Sequence, residues 1–164
     1  MTVFQGTRWS VTDLLTAPDD DVVEALPTLS RDAADNIANC AELLATGGSL
    51  LDCWRFGIMQ TIDDYRTRMR AGGTTQAAAT FTREPNMISA TEVNAAIASL
   101  AEYLARLDGW QPPEWCFSAE RISDTDWYVA ARDVDWIKAT AFQESPQEFR
   151  SRRVYTTLSG LSRA

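Results

Sequence analysis

Two runs of apolar residues at helical spacing, joined by the short connection Thr46-Gly47-Gly48-Ser49, constrain this chain more than any other feature. After Ser30, the residues Ile37, Cys40, Ala41 and Leu44 recur at i, i+3, i+4 and i+7 and so form one apolar stripe. Gly47 and Gly48 stop that helix, and Ser49 opens another in which Leu51, Trp54, Ile58, Ile62, Tyr65 and Met69 recur every third or fourth residue up to Gly72-Gly73. A link this short makes the helices antiparallel neighbours with facing stripes, so residues 30–72 read as a helical hairpin.

The rest of the chain is organised around that hairpin. Residues 1–29 read as an N-terminal arm with a short helix, in which Asp19, Asp20 and Asp21 suit a helix start better than a metal. Residues 73–88, rich in Thr and Ala and without sustained periodicity, read as a mobile loop. Residues 89–109 read as a central helix capped by Ser89 or Thr91 and closed by Gly109, with small alanines on more than one face. In 110–164 the Pro112-Pro113 pair predicts a stiff extended crossing, followed by a short helix near Asp135. Ser145-Pro146-Gln147-Glu148 then reads as a capping box, with Phe149 turned inward. The expected fold is all-α: a single compact helical domain over 1–164 with a packed C-terminal segment.

Composition limits the chemistry. The 164 residues contain no histidine, which removes His-based zinc ligation and His general-base catalysis. Fifteen basic against 23 acidic residues give a net charge of −8, which opposes general nucleic-acid binding. Cys40, Cys53 and Cys116 are too widely spaced for a zinc site and read as reduced core thiols. With no leader-like or membrane-length apolar run, the expected location is the cytoplasm, without a membrane partner. Asp63-Asp64 could suggest paired carboxylates, yet helical neighbours point about 100° apart and a solvated face is the ordinary reading. No catalytic residue, metal or cofactor is expected.

Interface anchors are sought among the aromatics and arginines. Trp54 and Trp136 read as packing, whereas Trp110, Trp115 and Trp127 come from irregular segments and are candidate partner contacts. Arg150, Arg152, Arg153 and Arg163 form a C-terminal basic cluster suited to an acidic group, although internal pairing competes.

The order AEYLARLDGWQPPEW followed by ESPQEFRSRRVYTTLSGLSRA resembles a family of small uncharacterised bacterial proteins. They carry a Leu-Ala-rich helix, a Pro-Pro-x-Trp element and a Ser-Pro-x-x-Phe-Arg segment ending in Leu-x-Arg-Ala. The resemblance spans about Glu92 to Ala164 and includes no catalytic motif. It implies an antitoxin-like or accessory partner of a nucleotidyltransferase-type or other toxin, and the acidic net charge by itself suits a basic target. The sequence therefore reads as a non-enzymatic protein-protein interaction protein. The alternatives are an enzyme or small-ligand binder with a Trp/Arg/carboxylate pocket, and a transcriptional regulator.

Overall fold

A computed structural model describes residues 31–130 and 132–162. The predicted N-terminal arm, Ser30 and Arg163 lie outside the described residues. The described chain is predominantly helical and compact, an all-α fold with one very short strand pair.

Helix α1 (Ala33–Ala45) opens at Asp32, whose carboxylate accepts from the Asp35 amide while Asp35 reciprocates. Ile37 and Cys40 on its predicted stripe are buried, whereas Ala41 and Leu44 are half-buried. Ser49 caps α2 (Leu50–Cys53) through a second such box with Asp52. These boxes satisfy amides that a helix start otherwise leaves orphaned.

The second helix is not uniform. A π-helical turn at Trp54–Ile58 separates α2 from α3 (Met59–Ala78). Its Gly57 lies against α1, and Trp54, Ile58, Met59, Ile62 and Tyr65 are buried. Gly72 and Gly73 leave helical geometry as the stop signal predicts, but residues 74–78 resume the helix and continue into a 3-10 turn at Ala79–Phe81.

The loop expected over 73–88 therefore requires correction. Ala77, Thr80, Phe81 and Pro85 are buried, and Phe81 belongs to the core. The Trp115 indole donates to the Phe81 carbonyl at 3.1 Å. Arg121, itself buried, donates to the Pro85 carbonyl and to Glu84. Five helical residues after a break are too few to display a period, so the sequence hides this segment.

Helix α4 (Thr91–Asp108) is central: every residue from Val93 to Ala101 is buried. Gly109 ends it in the left-handed region, as predicted. Its N-cap is Ala90, neither Ser89 nor Thr91, because Asn94 pairs its side chain with both backbone groups of Ile88 (3.1 and 2.7 Å) and braces the entry.

Beyond α4, Pro113 adopts extended geometry before a 3-10 turn at Glu114–Phe117, and another follows at Ala119–Arg121. Strand β1 (Trp127–Tyr128) pairs in parallel with β2 (Val154–Tyr155). Between them lie α5 (Asp135–Glu144) and α6 (Gln147–Arg150), and α7 (Leu158–Leu161) follows. The Ser145 capping box does not form. Ser145 instead donates to the Val154 carbonyl and accepts from the Thr156 amide, both at 3.3 Å, while Glu148 pairs with Arg106 on α4. Phe149 is buried, as its position predicts. Among the described residues no helix is long and apolar enough to cross a membrane.

Candidate interaction surface

The three tryptophans singled out from the sequence are half-buried against the core. Trp110 stacks on Phe81 (5.8 Å between centroids), and its indole donates to the Tyr65 hydroxyl at 2.8 Å. Trp115 lies beneath the Arg121 guanidinium, 4.8 Å from the ring centre. Trp127, on β1, meets Trp54 edge-on at 5.8 Å. An interface tryptophan offers apolar area and an N–H donor. In Trp110 and Trp115 that donor is already engaged inside the fold.

The arginines separate in the same way. Arg150 is exposed. Arg152 is buried, donating to the Cys116 carbonyl (2.7 Å) and the Glu148 carbonyl (3.0 Å) and pairing with Glu102 at 2.7 Å. A guanidinium taken out of water is costly unless its donors are met, and these partners meet them. Arg153, left-handed at φ 63°, lies in the turn after α6 and pairs with Asp126 at 2.8 Å. The described arginines of the cluster, Arg150, Arg152 and Arg153, thus divide between surface, core and a local ion pair.

Among the described residues, large apolar groups are exposed singly at Phe56, Leu107 and Phe117, and three more lie on α5 and α7. Trp136 is 69% exposed, Phe142 51% and Leu158 53%. Trp136 reads from sequence as packing, and that reading is corrected here. Among α5 residues only Ala141 is buried, so this ten-residue helix touches the body along a narrow line. Its attachment is local: Phe142 leans on Tyr155 at 5.4 Å, Tyr155 stacks on Tyr128 at 4.6 Å, and Glu144 accepts from the Leu158 amide at 3.3 Å. Lys138, the sole lysine of the chain, lies over Tyr128 and pairs with Asp133. A sequence signal for Trp136 does exist. Its helical neighbours at i+3, i+4 and i+7 are Ala139, Thr140 and Gln143, which form no apolar stripe.

The remaining reactive groups are muted. Cys40 and Cys53 face each other across the hairpin, each thiol directed at the other's carbonyl (3.6 and 3.7 Å). Burial pushes the Cys40 thiol up to about 12, and Cys116 likewise to about 12; Cys53 is also raised by burial. Nucleophilic attack requires the thiolate, which these environments disfavour. Asp64 accepts from Asn36 at 2.9 Å and Gln60 at 3.3 Å. Among the described residues no group of three or more acids or cysteines could hold a metal ion. No family model, curated protein or solved structure matches this chain, so its surface is interpreted from its own residues.

Proposed function

We propose that this chain is a non-enzymatic interaction protein that occupies the surface of a second protein, in the manner of an antitoxin-like partner neutralising a toxin. The observation that carries the reading is Trp136, 69% exposed on a helix with one buried residue. Leaving a large indole in water forgoes about 2 kcal/mol of burial, which a partner surface recovers. Phe142 and Leu158 extend the apolar area, and Asp135 and Glu144 give α5 exposed acids. With a net charge of −8, the chain is steered towards a basic partner, as a nucleotidyltransferase-type toxin would be.

Titration against the purified product of the gene adjacent to its own tests the reading. A stable complex is expected, weakened about thirtyfold by Trp136→Ala, the loss typical of a central aromatic anchor. The variant's own urea midpoint is expected to stay near the parent value, and binding is expected to weaken as salt rises. Elution of the two proteins apart, or full binding by Trp136→Ala, counts against the proposal.

A further inference from the structure

Within the hairpin, the short turn from Thr46 to Ser49 lies midway in sequence between Cys40 on α1 and Cys53 on α2. Positions placed symmetrically about the turn of an antiparallel helix pair come level with each other. The side chains bear this out. The Cys40 thiol donates to the Cys53 carbonyl at 3.6 Å and the Cys53 thiol to the Cys40 carbonyl at 3.7 Å, so each sulfur crosses to the other's backbone. The two sulfurs are also direct neighbours, near enough for one S–H to support charge on the other. Gly57 permits the approach, because it has no β-carbon to fill the space that the Cys40 sulfur takes. Cys116 stands elsewhere, beside Arg152, Arg121 and Glu102.

We propose that Cys40 and Cys53 form an oxidation site, at which a small peroxide converts the two thiols to an intrachain disulfide that staples α1 to α2. Burial selects the oxidant. Both residues are 0% exposed, which bars a bulky disulfide such as oxidised glutathione, whereas hydrogen peroxide is close to water in size. Burial also holds back the thiolate, so the reaction is slow, proceeding over hours. The Cys40 S–H favours charge on Cys53, and the same contact keeps the proton on Cys40, which makes Cys53 the attacking sulfur.

The Cys53 thiolate attacks one peroxide oxygen, an S–O bond forms as the O–O bond breaks, and the departing hydroxide takes up a proton as water. Cys53 is then a sulfenic acid. The Cys40 sulfur attacks it, the S–S bond forms as the S–O bond breaks, and a second water leaves with the Cys40 proton. Two thiols have lost two electrons to one peroxide, which ends as two waters. The site lies inside the hairpin and stands apart from the protein-partner reading on α5.

Peptide mapping of the full chain after exposure to hydrogen peroxide, with remaining thiols alkylated in denaturant, tests the proposal. Trypsin leaves both cysteines in one peptide, residues 32–55, and Cys116 in another. Peptide 32–55 is expected to be two hydrogens lighter and closed to alkylation until reductant is added, while Cys116 takes up the alkyl group. The urea unfolding curve of the oxidised chain is expected to shift upward, with the folded-to-unfolded ratio raised at least about tenfold, as closing a loop of this length in unstrained geometry provides. Peroxide is expected to leave the midpoint of Cys40→Ser without any such rise. Alkylation of both cysteines of peptide 32–55, over-oxidation of either without a cross-link, a bridge to Cys116, or an oxidised chain no more stable than the reduced one would each overturn it.

Discussion

Gly57 sits where α1 meets the π turn, and a β-carbon built on it would stand 2.2 Å from the Cys40 sulfur. The Cys40 sulfur is buried between Gly57 and the Cys53 backbone, so it has little room to yield. Gly57→Ala is therefore expected to cost about 1–3 kcal/mol, the usual range for overpacking. Adding Cys40→Ala vacates the clashing volume, so the double variant should be more stable than Gly57→Ala alone. Urea midpoints of the parent, the two single variants and the double variant measure this coupling. An unchanged midpoint for Gly57→Ala would show that the helices are free to part. Arg152 makes the complementary point. Its charge is accommodated in the interior only because Glu102 and two carbonyls converge on it. No local pattern around Arg150, Arg152 and Arg153 distinguishes the buried member from its exposed neighbours.

The break inside α3 is what delivers Phe81 to the core. An uninterrupted helix would advance about 1.5 Å per residue along one axis and carry residues 74–81 onward past Tyr65. At Gly73 the chain takes φ 71° and ψ −163°, a region that side chains essentially do not enter. Phe81 then lies 6.1 Å from Tyr65 and 5.8 Å from Trp110, between ring centres. Gly73→Ala is expected to destabilise the fold by about 1–3 kcal/mol. Gly72 has negative φ, and the atoms nearest a β-carbon built on it are those of the Gln76 side-chain amide, which is exposed and can swing away. The cost of Gly72→Ala should lie within about 0.5 kcal/mol, as at ordinary surface sites. Thermal melts of the two variants separate these cases, and equal melting temperatures would refute the assignment of the turn to Gly73. The π turn belongs to the same class of feature. It lies inside an apolar stripe that a simple helical period describes adequately, so Leu51 to Met69 gives no warning of it.

For the molecule as a whole, the buried proton-bearing groups make stability sensitive to alkali. Burial raises the Cys40 and Cys116 thiols from 9.0 to about 12, and burial with the Asp108 hydrogen bond raises the Tyr65 phenol above its ordinary value. The folded chain therefore holds protons that the unfolded chain releases. The stability these groups contribute is fully present below about pH 9 and declines as pH rises towards 12. Urea midpoints should fall between pH 9 and pH 11, and the native thiols should react slowly with a disulfide reagent until denaturant is added. A flat midpoint over that interval would contradict the burial of these groups.

Much of the helical framework was legible because its signals are local. The Gly47-Gly48 stop, the Ser49 cap, the Gly109 terminator and the Pro112-Pro113 crossing each depend on a few adjacent residues, and an all-α fold follows from them. Burial over long sequence separation obeys no such rule. Ser145 gives up a local capping role to bridge Val154 and Thr156, and Phe81 becomes core through partners at positions 65 and 110. Trp110 and Trp115 turn their donors inward, while Trp136 stays in water. Backbone propensity acts within a turn or two of helix. Which indole, thiol or guanidinium is desolvated depends on surfaces brought together across dozens of residues, and only packing in three dimensions selects among them.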